Sequence, residues 1–288
     1  MAIGYVLYNK EAGRNGAAND VQVLNEMLSD PLEFIDVTTV TDYREFLAGL
    51  NPEDYLVLAG GDGTLNCFAN NTYDIDYPNE VLYYPNGTGN DFAHDLGYKK
   101  GCQPFPVRQY LQDLPQVTVN GKTYRFINGI GYGIDGFCCE VGDELKKIPG
   151  KKINYTMIAI KGLLYQYKPT GATITVDGKL YNYKKVWLAP TMFGRFYGGG
   201  IMPTPMQTRA DKGKLSTMVY YGKGRLVSLM AFPSMFKGEH VKYKKMVDIL
   251  SGQEITVSFD RPTALQIDGE TVLGVSSYTA TASAKVTA

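Results

Sequence analysis

Residues 54–64 read Asp-Tyr-Leu-Val-Leu-Ala-Gly-Gly-Asp-Gly-Thr. No other segment constrains the fold as much. The apolar run has the length of a strand buried on both faces, as in a parallel sheet covered by helices. It passes without a break into Gly60, Gly61 and Gly63. Glycines allow a sharp turn in which backbone N–H groups converge, and a helix beginning at Leu65 adds the positive end of its dipole. A strand, a glycine turn and a helix in that order predict a phosphate-binding unit. Asp62 itself repels phosphate, so it either holds a cation or orders the loop by accepting N–H bonds.

The surrounding residues extend the pattern. Ile3–Tyr8, Phe34–Thr38 and Glu80–Tyr84 read as further strands, and Ala17–Ser29, Tyr43–Leu50 and Leu65–Asn70 as helices. This alternation predicts a doubly wound parallel sheet, whose ligands bind at the carboxyl ends of its strands. A second glycine turn, Pro85-Asn-Gly-Thr-Gly-Asn-Asp-Phe-Ala93, also follows a strand. One helix and one strand separate it from the first, which predicts that the two turns lie side by side.

From about residue 116 the texture changes. Val117–Val119, Tyr124–Asn128, Ala172–Val176, Lys185–Ala189, Leu215–Tyr221, Glu254–Phe259 and Ala264–Ile267 are strand-like. Asn120-Gly121 and Asp177-Gly178 suit tight hairpins. Helical inserts are expected at about 153–166 and 225–236. The expected class is therefore α/β plus all-β: a parallel-sheet nucleotide-binding domain over 1–116 and an antiparallel β-sandwich over 117–271. The tail, 272–288, forms a last strand that could complete either domain. Charge follows the same division. The chain has 29 basic and 29 acidic residues, but residues 1–116 hold 17 acids and 6 bases, while 117–270 hold 22 bases and 12 acids. A basic second half suits an anionic surface or a polyphosphate, or is simply a solvated lysine face.

Several classes are excluded. No apolar stretch approaches the ~18 residues of a membrane helix, and the opening Met-Ala-Ile-Gly-Tyr-Val lacks the basic start of a signal peptide. Four cysteines without CxxC spacing and two histidines argue against structural zinc and disulfides. There is no GxxxxGK[ST] and no Gly-x-Ser-x-Gly. Gly131–Gly136 matches GxGxxG but lies in the strand-rich half, with no acid near 151–156 to hold a ribose. No arginine-rich run points to nucleic acid.

Together these motifs resemble the diacylglycerol kinase catalytic-domain family, the soluble bacterial lipid kinases related to sphingosine kinases. The carriers are Tyr8–Gly13, Gly60–Asn66, Pro85–Ala93, Phe126-Ile-Asn-Gly129, Gly198-Gly-Gly200 and Asp268-Gly-Glu270, in family order along the chain. The resemblance implies a nucleotide-binding domain followed by a β-sandwich, with the site between them. It further implies transfer of the γ-phosphoryl group of ATP, with Mg²⁺, to a lipid hydroxyl, diacylglycerol first. Carried over, Asn9, Lys10, Glu11, Ala12 and Gly13 contact nucleotide phosphates. So do Gly60, Gly61, Asp62, Gly63, Thr64, Leu65 and Asn66. Thr88 and Thr38 (or Thr39) contact the nucleotide, and Asp91 sits close to the reacting phosphates. Glu270 matches the general base and Asp268 its catalytic partner; unaided, the residues there read as an Asp-Gly hairpin turn.

There are departures. Thr118 stands where the family has an Asp of its Mg²⁺ network, and Lys10 replaces a proline. Asp211-Lys212-Gly213 replaces an Asp-Asp-Gly turn that is a structural Mg²⁺ site in some members, leaving Asp211 as the metal-ligand candidate. An NAD kinase shares the Gly-Gly-Asp-Gly-Thr loop, and a non-catalytic binding homologue is the remaining alternative. The expected partner is a lipid at a membrane surface, met by a cytoplasmic protein at the inner face; a homodimer stays open. Ile153, Met157, Ile160 and Leu164, beside several lysines, recur at the spacing of a helix that either lies on an anionic membrane or packs on its own domain.

Overall fold

The computed structural model describes residues 1–10, 21–148, 150 and 153–283. The chain divides into two compact units after Gln112.

The first unit is a five-stranded sheet. Its elements are β1 (Gly4–Tyr8), helix α1 (Leu24–Met27), β2 (Leu32–Asp36), α2 (Tyr43–Ala48), β3 (Tyr55–Gly60), α3 (Asp62–Thr72), β4 (Glu80–Pro85), α4 (Asp91–Asp95), β5 (Phe105–Pro106) and α5 (Arg108–Leu111). The strand order is β2-β1-β3-β4-β5; β1 to β4 are parallel and β5 runs antiparallel to β4. Alternate residues feed opposite faces. Val6, Val57 and Ala59 pack with Val21 and Leu24 beside α1, whereas Tyr5 meets Phe46 of α2 edge to face. Helices therefore cover both faces, as the alternating pattern predicts. Asp42 caps α2 by accepting the N–H groups of Arg44 and Glu45. Helix α3 begins at Asp62, three residues before the expected start, because the glycine turn is itself the first helical turn.

The second unit is a ten-stranded antiparallel sheet. Its strands are β6 (Gln116–Val119), β7 (Lys122–Arg125), β8 (Gly129–Tyr132), β9 (Thr170–Val176), β10 (Lys179–Leu188), β11 (Thr191–Met192), β12 (Leu215–Tyr221), β13 (Val247–Gly252), β14 (Glu254–Ile267) and β15 (Glu270–Thr281). The two strands expected over 254–267 are one. β14 pairs β9 through Ile255–Phe259 and β8 through Leu265–Ile267, with register shifts against β15 in between. A strand bulged in this way bends, and here it joins two edges, so the sheet curls into the layers of a sandwich. β15 lies between β14 and β6, so the C-terminal strand belongs to this unit.

Three helices cover the curled sheet: α6 (Ile134–Lys146), α7 (Tyr155–Lys161) and α8 (Arg225–Ala231). The GxGxxG run spans β8 and the start of α6 and serves packing. A Cβ on Gly136 would meet the Ala264 carbonyl oxygen at 1.9 Å, so glycine lets α6 rest directly on β14. In the first turn of α6, Asp135 accepts a hydrogen bond from the Tyr197 hydroxyl. Desolvation pushes its carboxyl up to about 7 against the lowering effect of that bond. An acid whose pKa is raised on folding binds more protons in the native state, so stability falls as pH rises from about 4 to about 7. Melting curves at pH 5 and pH 8 are expected to differ more for the wild type than for Asp135→Asn.

Candidate functional site

In the first unit, neighbouring strands end in register at one edge. Tyr8 lies opposite both Asp36 and Ala59, and Gly60 opposite Pro85. The carboxyl ends of β2, β1, β3 and β4 therefore stand in a row. Sequence-predicted residues sit at every position of that row: Thr38 beyond β2, Asn9 and Lys10 beyond β1, Gly60–Asn66 beyond β3, and Thr88–Asp91 beyond β4. The order 2-1-3-4 makes β1 and β3 the switch point at which the chain's connections part in opposite directions, the usual ligand position in such sheets. Glu11, Ala12 and Gly13 lie outside the described residues.

Asp36 joins the first two strand ends. Its carboxylate accepts the N–H groups of Thr38, 3.1 Å, and Lys10, 3.4 Å. Desolvation raises this carboxyl, but the hydrogen bonds from Thr38 and Lys10, with the lysine's charge, prevail and hold it below the ordinary range. The hydroxyl of Thr39 donates to the Asp36 carbonyl, the Thr38 side chain hydrogen-bonds the Asp36 carboxylate, and both threonines are exposed, so both stand at the end of β2. A cleft of about 430 Å³ opens beside this turn, lined by Val37, Val40, Thr41, Cys67 and Asn71 among others.

The two glycine turns touch. A Cβ on Gly87 would fall 2.4 Å from the Gly61 Cα and 2.9 Å from its nitrogen, so the backbones approach as only glycines permit. The Gly60 carbonyl accepts the N–H groups of Asn86 and Gly87, at 3.1 and 3.2 Å. Asp62 closes the arrangement: its two carboxylate oxygens accept the N–H groups of Asp91, 2.9 Å, and Phe92, 2.8 Å, which caps α4. Of the two roles open to Asp62, the structure supplies the ordering one. Leu65 is buried in the core and gives its N–H to the Gly61 carbonyl, while Thr88 is exposed. Asn90, part of the second glycine turn but given no role of its own by sequence, adopts a left-handed φ of 53° before α4. Its amide donates to the Gly87 carbonyl at 2.9 Å, and its buried Oδ1 has no protein partner. That oxygen would lie 2.9 Å from a Gly87 Cβ and 3.9 Å from one on Gly61. A cradle with glycine walls, a helix N-terminus and an unsatisfied buried polar atom fits a phosphate group with its bound water.

In the second unit, Asp268 and Gly269 have φ of 46° and 97° and join β14 to β15 as a two-residue hairpin. The Asp-Gly turn and the acidic site are thus the same residues. Asp268 accepts the N–H groups of Ile127, 2.5 Å, Asn128, 2.9 Å, and Gly129, 2.9 Å, pinning the Phe126–Gly129 loop. On the other side of that loop the buried Arg209 donates to the Ile127 carbonyl and to Asn128 Oδ1. A single arginine in Thr208-Arg-Ala210 carries no pattern by which sequence could have found it. Asp268→Ala is expected to cost roughly 3 kcal/mol, since three buried N–H groups lose a charged acceptor; a urea melt checks it. Glu270 opens β15 and is exposed. Next to it, the Thr271 hydroxyl donates to Asp143 of α6 at 2.6 Å. Asp143 first, with Glu270 among the lesser contributions, raises the Lys146 ammonium, so Glu270 stands within electrostatic reach of α6.

Asp211 does not lie in a metal cage. Lys212 beside it holds its ammonium 3.9 Å from Asp113, and the Lys212 carbonyl accepts the Ser283 N–H. A cation and an occupied carbonyl at this turn do not fit a divalent metal. Among the described residues, no group of three or more His, Cys, Asp or Glu is placed so that it could hold a metal ion.

Residues 4–117 match the family model described as the diacylglycerol kinase catalytic domain, and residues 128–285 match the YegS C-terminal NAD kinase beta sandwich-like domain. The chain belongs to the diacylglycerol kinase catalytic-domain family. The match makes it a kinase, and lipid is the acceptor that the names of its relatives state for them. A Mycobacterium tuberculosis (strain ATCC 25618 / H37Rv) protein named diacylglycerol kinase is 27% identical over 210 residues, 70% of this chain and 66% of that one. YtlR of Bacillus subtilis (strain 168) is 24% identical over 245 residues, 77% and 75% of the two chains. A solved structure titled a diacylglycerol kinase from Bacillus anthracis str. Sterne shares the fold, with TM-score 0.61, 19% identity and coverage of 98% and 94%. The β-sandwich of the family is the curled sheet seen here.

Proposed function

We propose that this kinase transfers the γ-phosphoryl group of ATP, with Mg²⁺, to the hydroxyl of a membrane lipid, diacylglycerol first, at the cytoplasmic face. The observation that carries the reading is the contact of Gly61 with Gly87, locked by Asp62, at the carboxyl edge of a parallel sheet. Phosphoryl transfer asks a protein mainly to position the phosphates, to offset their charge, and to take a proton from the attacking hydroxyl. The N-terminal amides of α3 meet the first requirement. Lys10, one strand over, offers positive charge. The nucleoside extends along the row toward Thr38 and the cleft walled by Thr41 and Cys67.

Magnesium, when bound with the nucleotide, neutralises charge on the phosphate oxygens. A protein site for it would need only one or two carboxylates. Asp91, at the end of the second glycine turn, is the residue that would supply one. Asp62 keeps the cradle in shape instead. Glu270 accepts the proton of the lipid hydroxyl as its oxygen attacks, and Asp268 holds the turn that presents Glu270.

The test is transfer of label from γ-labelled ATP, with Mg²⁺, to a panel of diacylglycerol, other lipid alcohols and NAD. Label in the organic extract is expected. Label on NAD alone, or tight nucleotide binding with no transfer to any acceptor, refutes the reading.

A further inference from the structure

Helix α8 buries one side and leaves the other bare. Ser228 and Ala231 are buried, and Met235 of the following turn joins the same core. Leu226, 70% exposed, and Met230, 74% exposed, stand one helical turn apart on the outer side, with Val227 beside them. Arg225 anchors the helix: its guanidinium donates to the Leu163 carbonyl at 3.0 Å and lies 5.5 Å over the Trp187 ring. The turn it holds, 162–166, presents Tyr165, 60% exposed, and the 232–237 turn adds Phe236. Exposed apolar side chains are ordinarily scattered singly; here five stand on three linked elements.

The sequence of the segments that carry them is rich in lysine, although Lys146, Lys147 and Lys242 pair with Asp143, Glu144 and Glu239. Between Glu144 and Asp177 the chain has six lysines and no acid, and between Asp211 and Asp248 it has eight basic residues and one acid, Glu239. Two copies of such a face repel one another, whereas an anionic bilayer attracts each lysine and accepts the apolar groups below its headgroups. We propose that the ridge of Leu226, Val227, Met230, Phe236 and Tyr165 seats this kinase on an anionic lipid surface. The inference deepens the lipid-kinase reading and rests on it, since an acceptor held in a bilayer has to be met at its surface. The helix at 155–161, which sequence spacing offers either for this role or for packing on its own domain, buries Ile158 and exposes Met157. It flanks the ridge and does not form it.

The test is co-sedimentation with phosphatidylcholine vesicles made with or without phosphatidylglycerol, for the wild type and for Leu226→Ser/Met230→Ser. The wild type binds only the anionic vesicles and is released by salt. The variant binds them about tenfold or more weakly, because two apolar side chains no longer enter the interface. Its transfer to a short-chain, water-dispersed diacylglycerol is unchanged, and the emission of Trp187, the single tryptophan, confirms that its core is intact. A variant that sediments as the wild type does overturns the proposal, as does a wild type indifferent to phosphatidylglycerol and salt. Light scattering that finds a wild-type dimer and a monomeric variant, with equal vesicle binding, overturns it in favour of a second copy. If the wild type phosphorylates no dispersed lipid while the vesicle contrast holds, the acceptor reading fails and the surface stands.

Discussion

Replacing Gly87 with alanine is expected to weaken binding of ATP and ADP by about 100-fold or more, the scale on which an ångström of misplacement costs a functional site. The new methyl group would arrive 2.4 Å from the Gly61 Cα and 2.9 Å from its nitrogen. These are backbone atoms, so no flexible side chain can yield, and the two turns must spread. Spreading pulls Asp62 from the N–H groups of Asp91 and Phe92 and opens the cradle at the mouth of α3. The fold pays roughly 1–3 kcal/mol, the usual cost of overpacking, which leaves a folded protein on which binding can be measured. Titration calorimetry with ADP reads the effect. Unchanged affinity would mean that nucleotide does not sit between these turns.

Glu270→Gln is expected to do the opposite: leave nucleotide affinity and stability as they are and lower kcat by about 10²–10⁴, the range for loss of a general base. The side chain is exposed at the start of β15, and the amide has the same shape. Asp268 holds its three N–H groups independently of it. Steady-state transfer to diacylglycerol, with ADP titration alongside, separates the two effects. A kcat within threefold of wild type, about two-thirds of a kcal/mol in barrier, would remove Glu270 from the proton transfer.

The split between what could and could not be read from the sequence has physical causes. β1, β3 and β4 announced themselves because strands buried on both faces must be apolar throughout, and their glycine turns because few other residues allow such an approach. Register then brought Thr38, Asn9, Gly60 and Pro85 to one edge without further information. The second unit gave less away. β8 is four buried residues, too short for any period, and α6 begins within the glycine run that feeds it, so Gly131–Gly136 stood out only as a GxGxxG match in the strand-rich half, whereas Gly136 is a contact with β14. β14 looked like two strands because its middle, Asp260-Arg-Pro-Thr263, is polar and bulged. The longest-range relations were invisible: Asp268 caps a loop 140 positions upstream, and Arg209 backs the same loop from a third segment. An acid in an Asp-Gly pair reads as a turn residue, and nothing local tells whether its carboxylate also holds a distant backbone. Lys212 was legible as a departure. Its ion pair with Asp113 and the Ser283 bond to its carbonyl are the interactions that this turn makes.

Amide hydrogen exchange of the full chain, with and without Mg-ATP, tests the central geometry most directly. If both glycine turns grip one triphosphate, slowed exchange appears together in peptides covering 60–66 and 86–91, and Gly87→Ala removes it from both. Protection in only one of the two, or nucleotide-dependent protection that spares both, would contradict the account.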